Sequence, residues 1–167
     1  MEIAYLQKTG VRIKGKSAAF AVNTLDVASG NAALLLDDMV PDTTGEDVYL
    51  SGPGDYEIGG VKITGYRGDK GFIYSLTIDG VSVVIGKIET LSSMQNKLKE
   101  HQIVVALCKE TANASFLTSL AENAVVVYGE KAAETLQGFE KEKIKEMNKY
   151  SAVAGKLSTE LETILLN

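Results

Sequence analysis

The chain has 167 residues, of which 45% are hydrophobic and 23% are charged. These values are ordinary for a folded globular protein, and the length predicts one domain spanning residues 1–167. The net charge of −5 disfavours general nucleic-acid binding, because such a chain repels a phosphate backbone. No apolar run approaches the ~20 residues that cross a bilayer, and no secretory signal is visible, so we expect a cytoplasmic protein without membrane contact.

The first part of the chain has the pattern of short strands separated by turns. Apolar and polar residues alternate in Met1–Gln7 and Val11–Lys14, and a short apolar run follows at Ala18–Val22. This pattern predicts a meander of antiparallel strands. The continuous apolar run Ala32–Leu36 is typical of a strand buried on both faces, and Val48–Leu50 resumes an extended segment after a polar loop.

Two β-hairpins are predicted in the middle of the chain, each closed by a two-residue turn that contains glycine. Alternation in the second hairpin places Phe72, Tyr74, Leu76 and Ile78 on the core face of one strand. The first hairpin consists of Tyr56–Ile58, Gly59-Gly60 and Val61–Thr64, and the second of Phe72–Ile78, Asp79-Gly80 and Val81–Ile85.

After Thr90 the pattern changes to an alternation of helices and buried strands, which predicts helices packed on a sheet. Lys141–Met147 is predicted as a further short helix, within a basic run interleaved with glutamates that favours a solvated face. The tail, Thr159–Asn167, is predicted to dock through Leu161, Ile164, Leu165 and Leu166. The other predicted elements are helices over Met94–Glu100, from Asn113 or Ser115, and over Glu130–Gln137, and strands over Ile103–Leu107 and Ala124–Tyr128.

Two segments carry a resemblance to a known family. PGDYEIGGVKITG at Pro53–Gly65 and IYSLTIDGVSVVIG at Ile73–Gly86 resemble the metallo-β-lactamase superfamily, in particular its branch of small predicted zinc-dependent hydrolases with a PGEYEIGG-type signature. The opening MEIAYLQKTGVRIKGK is similar to the first hairpin of that branch. The resemblance implies a trimmed αββα sandwich of the α+β class, with mostly antiparallel strands in the first half and helix–strand alternation in the second. It also implies catalytic metals held on loops at one edge of the sheets.

The residues that match the main ligand motif of the family have almost all changed. That motif, His-x-His-x-Asp-His, follows a buried strand and corresponds here to residues 38–43. Only Asp42 is retained in kind, while Asp38, Val40 and Thr43 stand where histidines belong. The resemblance therefore implies that most of this ligand set is missing.

The remaining ligand positions are altered as well. The segment Gly65–Gly71 is too short for the loop that carries a further family histidine, and Lys87 follows the strand where the family has a bridging aspartate. Tyr128 takes the place of the last histidine, and the one histidine of the chain, His101, lies outside all of these positions. A catalytic zinc site needs about three protein ligands and an open position, so a classical dinuclear zinc centre is not expected.

Other groups with chemical potential have simpler interpretations. Asp55 and Glu57 lie two apart on a strand and could form an acid/base pair, but we interpret them as polar strand residues. Cys108 follows an apolar run and is expected to be a buried small residue rather than a nucleophile. No nucleophile accompanies His101 in the sequence, which leaves a serine hydrolase unsupported.

The sequence thus predicts a metal-free, non-catalytic module that acts in binding or assembly, with no catalytic, cofactor-binding or metal residues assigned and no cofactor. We expect a homo-oligomer or a protein partner, and no nucleic acid. The alternative is a metal-dependent hydrolase that holds zinc or another divalent cation at an unconventional acidic site around Asp38 and Asp42. Hard cations prefer several oxygen ligands, which the acidic loop containing Asp37, Glu46 and Asp47 could help to supply.

Overall fold

The computed structural model describes residues 1–7, 10–27, 30–41, 45 and 47–167. Its strands form a six-stranded sheet in the order β13-β1-β2-β3-β4-β5 and an eight-stranded sheet in the order β12-β14-β11-β10-β9-β8-β7-β6. The strands are β1 (Glu2–Gln7), β2 (Gly10–Lys14), β3 (Ala19–Val22), β4 (Ala32–Leu34), β5 (Tyr49–Leu50), β6 (Gly54–Ile58), β7 (Val61–Gly68), β8 (Gly71–Ile78), β9 (Val81–Lys87), β10 (His101–Leu107), β11 (Ala121–Tyr128), β12 (Ile144–Met147), β13 (Lys149–Ser151) and β14 (Glu162–Leu166).

The strands of the first half pair mostly in antiparallel fashion, as the sequence predicts, although β4 lies parallel to both β3 and β5. Strands β1 to β3 and β6 to β9 pair as antiparallel neighbours, whereas β9, β10, β11 and β14 lie parallel to one another. The turn between β8 and β9 has positive φ at Asp79 (51°) and Gly80 (77°), which is the conformation of a tight primed hairpin turn. Both predicted hairpins are therefore confirmed.

The two sheets share one apolar core. Ile3, Phe20 and Leu34 of the six-stranded sheet belong to the same buried cluster as Tyr74 and Val105 of the eight-stranded sheet. The cluster also contains the four side chains predicted for the core face of β8, Phe72, Tyr74, Leu76 and Ile78. Alternate residues of a strand point to the same face of a sheet. The period-two apolar pattern of the sequence therefore predicts which side chains of β8 lie in the core between the two sheets.

A second apolar cluster covers the outer face of the eight-stranded sheet. It joins Ile73 and Val104 of the sheet to helix α1 (Ile88–Met94), helix α2 (Ala132–Thr135) and the 3-10 turn Ser115–Ser119. The helices are short, and none of those described has the length and apolarity to cross a membrane. Within the described part of the chain, the buried clusters on the side of the six-stranded sheet contain no helical residue. The fold is thus an αββα sandwich in a trimmed form.

The first predicted helix is misplaced. We predict a helix over Met94–Glu100 from the spacing of apolar residues, but α1 begins at Ile88, directly after β9, and ends at Met94. Lys87 precedes it in an extended conformation and makes no capping hydrogen bond with its side chain, so the start of the helix carries no sequence signal. Ser92 and Ser93, which precede the predicted start of the helix, lie inside it instead.

Three further elements and one residue of the tail differ from the prediction. The segment predicted as a helix over Lys141–Met147 is a 3-10 turn (Lys141–Lys143) followed by β12, which pairs parallel with β14 at the edge of the sheet. Ser115–Ser119 is a 3-10 turn rather than an α-helix, and α2 is only four residues long before the 3-10 turn Leu136–Gly138. In the tail, Leu161 is exposed, whereas Ile164, Leu165 and Leu166 are buried as predicted.

Candidate functional site

The carboxyl ends of several strands meet at one edge of the sandwich, here called the carboxyl-end edge. Lys87, Leu107 and Tyr128 are register partners at the ends of the parallel strands β9, β10 and β11. The segment after β4 joins the same edge, because the backbone N–H of Phe72 donates to the carbonyl oxygen of Leu36 over 3.0 Å. This is the edge at which the resemblance implies catalytic metals.

An ion-pair cluster, Asp37–Lys87–Lys109, lies at the carboxyl-end edge. The Lys87 ammonium group donates to Asp37 Oδ1, and Lys109 Nζ lies 2.6 Å from Asp37 Oδ2. The Lys87 and Asp37 side chains are 14% and 26% exposed, so the pair is largely shielded from solvent. The cluster connects the ends of three strands, β4, β9 and β10, through a single carboxylate.

The two lysines keep Asp37 ionised. Burial alone would raise the pKa of Asp37, but hydrogen bonds from Lys109 and Lys87, together with their charges, outweigh burial and lower it. Both carboxylate oxygens already accept charge-assisted hydrogen bonds from ammonium groups. Asp37 is therefore not available as a general acid or as an unshared metal ligand at neutral pH.

Asp38, the first weak metal candidate, is held by another cation. Its carboxylate faces the guanidinium group of Arg67 at 3.5 Å, and the same guanidinium lies 5.1 Å from the centre of the Phe72 ring. Both charged side chains are more than half exposed. Pairs of this kind contribute about 0–1 kcal/mol to stability, so Asp38 is positioned only weakly.

Asp42, the second weak metal candidate, lies outside the described residues, as do Thr43 and Glu46. Val40, which stands where the family motif has a histidine, is 89% exposed.

The hairpin between β7 and β8 leaves no room for a ligand loop. β7 continues to Gly68 and β8 begins at Gly71, so only two residues connect them. Gly71 has a φ of +133°, and a Cβ atom added there would lie 2.1 Å from the carbonyl oxygen of Leu36. The close approach of the two backbones requires glycine and fixes the hairpin against the end of β4. Gly65–Gly71 is thus part of a tight hairpin, and the expectation that it is too short for the ligand loop of the family is met.

The position of the last family histidine is filled by a buried phenol. Tyr128 points into the core shared by the sheets and is fully buried. Burial raises the pKa of Tyr128, and nearby Cys108 and Asp37 act in the same direction. Among the described residues, its hydroxyl has no hydrogen-bond partner. A phenol in this environment stays protonated and cannot substitute for an imidazole ligand.

The residues at the carboxyl-end edge do not fit a zinc ion. Zinc is bound in proteins by imidazole, thiolate and carboxylate groups, whereas Lys87 and Lys109 present ammonium groups, which donate hydrogen bonds and have no lone pair for a metal. In residues 1–7, 10–27, 30–41, 45 and 47–167, no group of three or more His, Cys, Asp or Glu side chains is arranged to hold a metal ion. We accordingly assign no step to a metal.

One pair of residues with catalytic potential, Ser75 and His101, is not predicted from the sequence. The hydroxyl oxygen of Ser75 lies 2.6 Å from Nε2 of His101, and Nδ1 of His101 lies 2.8 Å from the carbonyl oxygen of Lys99. The carbonyl can only accept, so Nδ1 carries the proton and Nε2 accepts from Ser75. The two residues lie on β8 and β10, which are separated by β9, and no local motif brings them together.

The surroundings of this pair favour a structural role. His101 is buried, and burial lowers the pKa of His101 even though the Lys99 carbonyl and Glu122 act to raise it. Ser75 is in the middle of β8, where its neighbours β7 and β9 occupy the backbone hydrogen bonds that an oxyanion would need. Among the described residues, neither Ser75 nor His101 lines any of five surface cavities of about 180–390 Å³. We interpret the pair as two buried polar groups that satisfy each other.

The remaining candidates have structural surroundings. Cys108 is buried, and burial raises its pKa to about 12, which excludes a thiolate at neutral pH. Asp55 accepts a hydrogen bond of 2.8 Å from the hydroxyl of Thr64 on the neighbouring strand. Both Asp55 and Glu57 are exposed on the edge strand β6. These positions agree with the simpler interpretations of Cys108, Asp55 and Glu57.

Comparison of structures identifies proteins with the same architecture. The chain is similar to a proposed Zn-dependent hydrolase of the metallo-β-lactamase superfamily from Thermotoga maritima, with a TM-score of 0.72 and 13% identity over 99% of this chain and 97% of that one. It is also similar to a proposed metal-dependent hydrolase from Parabacteroides distasonis, with a TM-score of 0.57 and 13% identity over 84% and 88% of the two chains. No protein-family model matches the sequence, and no curated protein matches it significantly. At this identity the comparison confirms the predicted fold and leaves the activity open.

Proposed function

We propose that this chain, which has the fold of the metallo-β-lactamase superfamily, is a metal-free protein without hydrolase activity that acts in binding or assembly. The Asp37–Lys87–Lys109 cluster is the observation that carries this proposal. It occupies the edge where the fold implies metals, and it provides two fixed positive charges there. No cofactor is part of the proposal.

The energetics of the cluster support this choice. Two unit charges 4 Å apart interact by about 4 kcal/mol at an effective dielectric of 20. A divalent cation at that distance would meet about twice this repulsion from Lys87 and again from Lys109, and it would have to displace both ammonium groups from the carboxylate. A water molecule activated by a strongly held cation is the basis of hydrolysis in metal centres. The described edge offers a poor site for such a cation.

The competing function is a hydrolase with a metal at Asp38 and Asp42. Asp38 belongs to the carboxyl-end edge but already faces Arg67, and no observation on the described residues adds a second oxygen ligand to it. Asp42 lies outside the described residues. Metal bound to the purified protein would favour this alternative.

Elemental analysis of the purified protein tests the proposal. Protein produced in medium supplemented with zinc, iron and manganese is dialysed without chelator and measured by mass spectrometry of the elements. We expect less than about 0.1 equivalent of any transition metal, and no hydrolysis of bis(p-nitrophenyl) phosphate above the blank. One equivalent of metal that is lost in Asp38→Ala or Asp42→Ala, with hydrolysis lost in parallel, would establish the hydrolase instead. Lys62→Ala, on the exposed side of β7, is the matched control.

A further inference from the structure

One end of the six-stranded sheet presents a face that is rich in basic side chains. On β2, Val11 and Ile13 point into the core, so Arg12 and Lys14 point outward. Strand register places the outward side chains of three neighbouring strands, β13, β1 and β2, side by side. They form one row of Ser151, Glu2 and Lys14 and a second row of Lys149, Ala4 and Arg12, which together are called the basic face.

The charges of the basic face are poorly neutralised. Glu2 is its only acidic side chain, and it serves two cations, Lys149 at 3.3 Å and Arg12 at 3.9 Å. Arg12 Nε is buried and has no acceptor among the described residues, and no ion pair of Lys14 occurs there either. The face therefore carries an excess of positive charge in a chain whose net charge is −5. Such segregation is typical of a surface that recognises a charged partner.

A shallow depression adjoins the basic face. It has a volume of about 390 Å³ and lies beside Lys14, and its margin carries Lys16 together with two carboxylates, Glu2 and Asp79. Asp79 is paired with the N-terminal ammonium group of Met1 at 3.2 Å. The wall of the depression includes Val153, a valine that is 56% exposed. Lys14, for which no ion pair occurs among the described residues, thus lies beside an exposed apolar side chain, which suits a carboxylate whose neighbour in the partner is apolar.

We propose that the basic face binds an acidic segment of a partner protein. This proposal rests on the proposed function and gives it a surface and a partner class. A nucleic acid is a poorer occupant, because the rest of the chain is acidic and neither row contains an aromatic ring on which bases could stack. A second copy docked through the same face would bring the lysines of one copy against those of the other.

Charge reversal on the basic face provides the test. The double variant Lys14→Glu/Lys149→Glu changes two exposed side chains, and Lys62→Glu/Lys97→Glu makes the same change of charge on other strands and loops. The probe is a fluorescein-labelled 20-residue poly-L-glutamate, measured by fluorescence anisotropy at low and at physiological salt. We expect the double variant to weaken binding at least tenfold and the control to change it less than twofold. Binding that is absent in the wild type, or equally reduced by both double variants, overturns the proposal.

Two further measurements test whether the basic face binds something other than an acidic protein segment. A 20-nucleotide single-stranded DNA that binds more tightly than the peptide, and loses this binding in Lys14→Glu/Lys149→Glu, would make the surface a nucleic-acid site. Sedimentation velocity that shows an oligomer dissolved by the same variant would make the occupant a second copy. Either result overturns the assignment to an acidic protein segment. Peptide binding, DNA binding and sedimentation do not depend on the metal content of the protein. A negative result in these measurements therefore leaves the elemental analysis of the proposed function unaffected.

Discussion

Asp37 shows at the residue scale how a single carboxylate can determine what a strand edge is able to bind. Its two oxygens accept from Lys87 and Lys109, residues 50 and 72 positions away in the chain. A carboxylate that is partly buried needs compensating partners, and here those partners are cations of the protein itself. The charge that a metal would supply at this edge is therefore provided by side chains.

Removing Lys87 tests this role directly. Lys87→Met keeps most of the aliphatic stem but leaves Asp37 with one ammonium partner, so we expect the free energy of unfolding to fall by about 1–3 kcal/mol. Because the lysines lower the pKa of Asp37, the difference should be present above the reference value of 3.8 and should shrink as the pH falls below it. Urea unfolding at several pH values measures both effects. Lys62→Met, an exposed residue of β7, should change stability by less than about 0.5 kcal/mol, and an equal effect in both variants would contradict the account.

His101 predicts a second dependence on pH. Burial lowers the pKa of His101 in the folded state below the reference value of 6.5. Above pH 6.5 the imidazole is neutral in the folded and unfolded chains, and stability does not depend on it. Below pH 6.5 the unfolded chain binds the proton more readily, so stability falls until the folded-state pKa is passed. His101→Gln should remove this component from urea unfolding curves recorded between pH 7.5 and 5.0, and an unchanged pH dependence would show that the folded-state pKa is not lowered.

At the scale of elements, the hairpin of β7 and β8 fixes the geometry of the carboxyl-end edge. Gly71 allows the backbone of β8 to approach the end of β4, where a side chain would collide with the Leu36 carbonyl. The hydrogen bond from Phe72 to Leu36 then connects the two sheets. A short hairpin at this place thus brings β4 to the strand ends that carry Lys87 and Lys109.

Replacing Gly71 should disturb this edge more than replacing other glycines. Gly71→Ala introduces both a collision and a left-handed φ, so we expect a loss of more than about 2 kcal/mol in the free energy of unfolding. Gly138→Ala is the matched control, because no heavy atom lies within 4 Å of an added Cβ there. Thermal and urea unfolding of both variants give the comparison. A Gly71→Ala protein as stable as Gly138→Ala would mean that the two backbones do not approach so closely.

Particular elements show what the sequence can predict. The second hairpin is predicted correctly because Asp79-Gly80 has a turn preference strong enough to fix the register of both strands. Helix α1 is misplaced because it begins without a capping side chain, and β12 is missed because its polar residues fit a solvated helix as well as an edge strand. The Asp37 cluster and the Ser75–His101 pair depend on contacts between distant strands, which local patterns do not encode.

At the scale of the whole molecule, the two sheets are joined by one core, and only the eight-stranded sheet carries a layer of helices in the described part of the chain. The outer face of β13, β1 and β2 is left to charged side chains, as is usual for antiparallel sheets with one solvated side. The trimmed sandwich therefore retains a continuous interior while it exposes a surface that a helix could otherwise cover.

A shared core predicts cooperative unfolding. Far-ultraviolet circular dichroism and tyrosine fluorescence should give coincident urea transitions, because Tyr74 and Tyr150 belong to the same buried cluster as strands of both sheets. Two separate transitions would mean that the sheets fold as independent units, contrary to the expectation of one domain.

Anomalous diffraction at the zinc absorption edge, from crystals soaked in a millimolar zinc salt, shows whether the carboxyl-end edge binds a metal. We expect electron density for the ammonium groups of Lys87 and Lys109 on the carboxylate of Asp37, and no anomalous peak at this edge. A strong peak about 2.0–2.2 Å from a carboxylate oxygen of Asp37, Asp38 or Asp42, with the lysines displaced, would contradict this expectation.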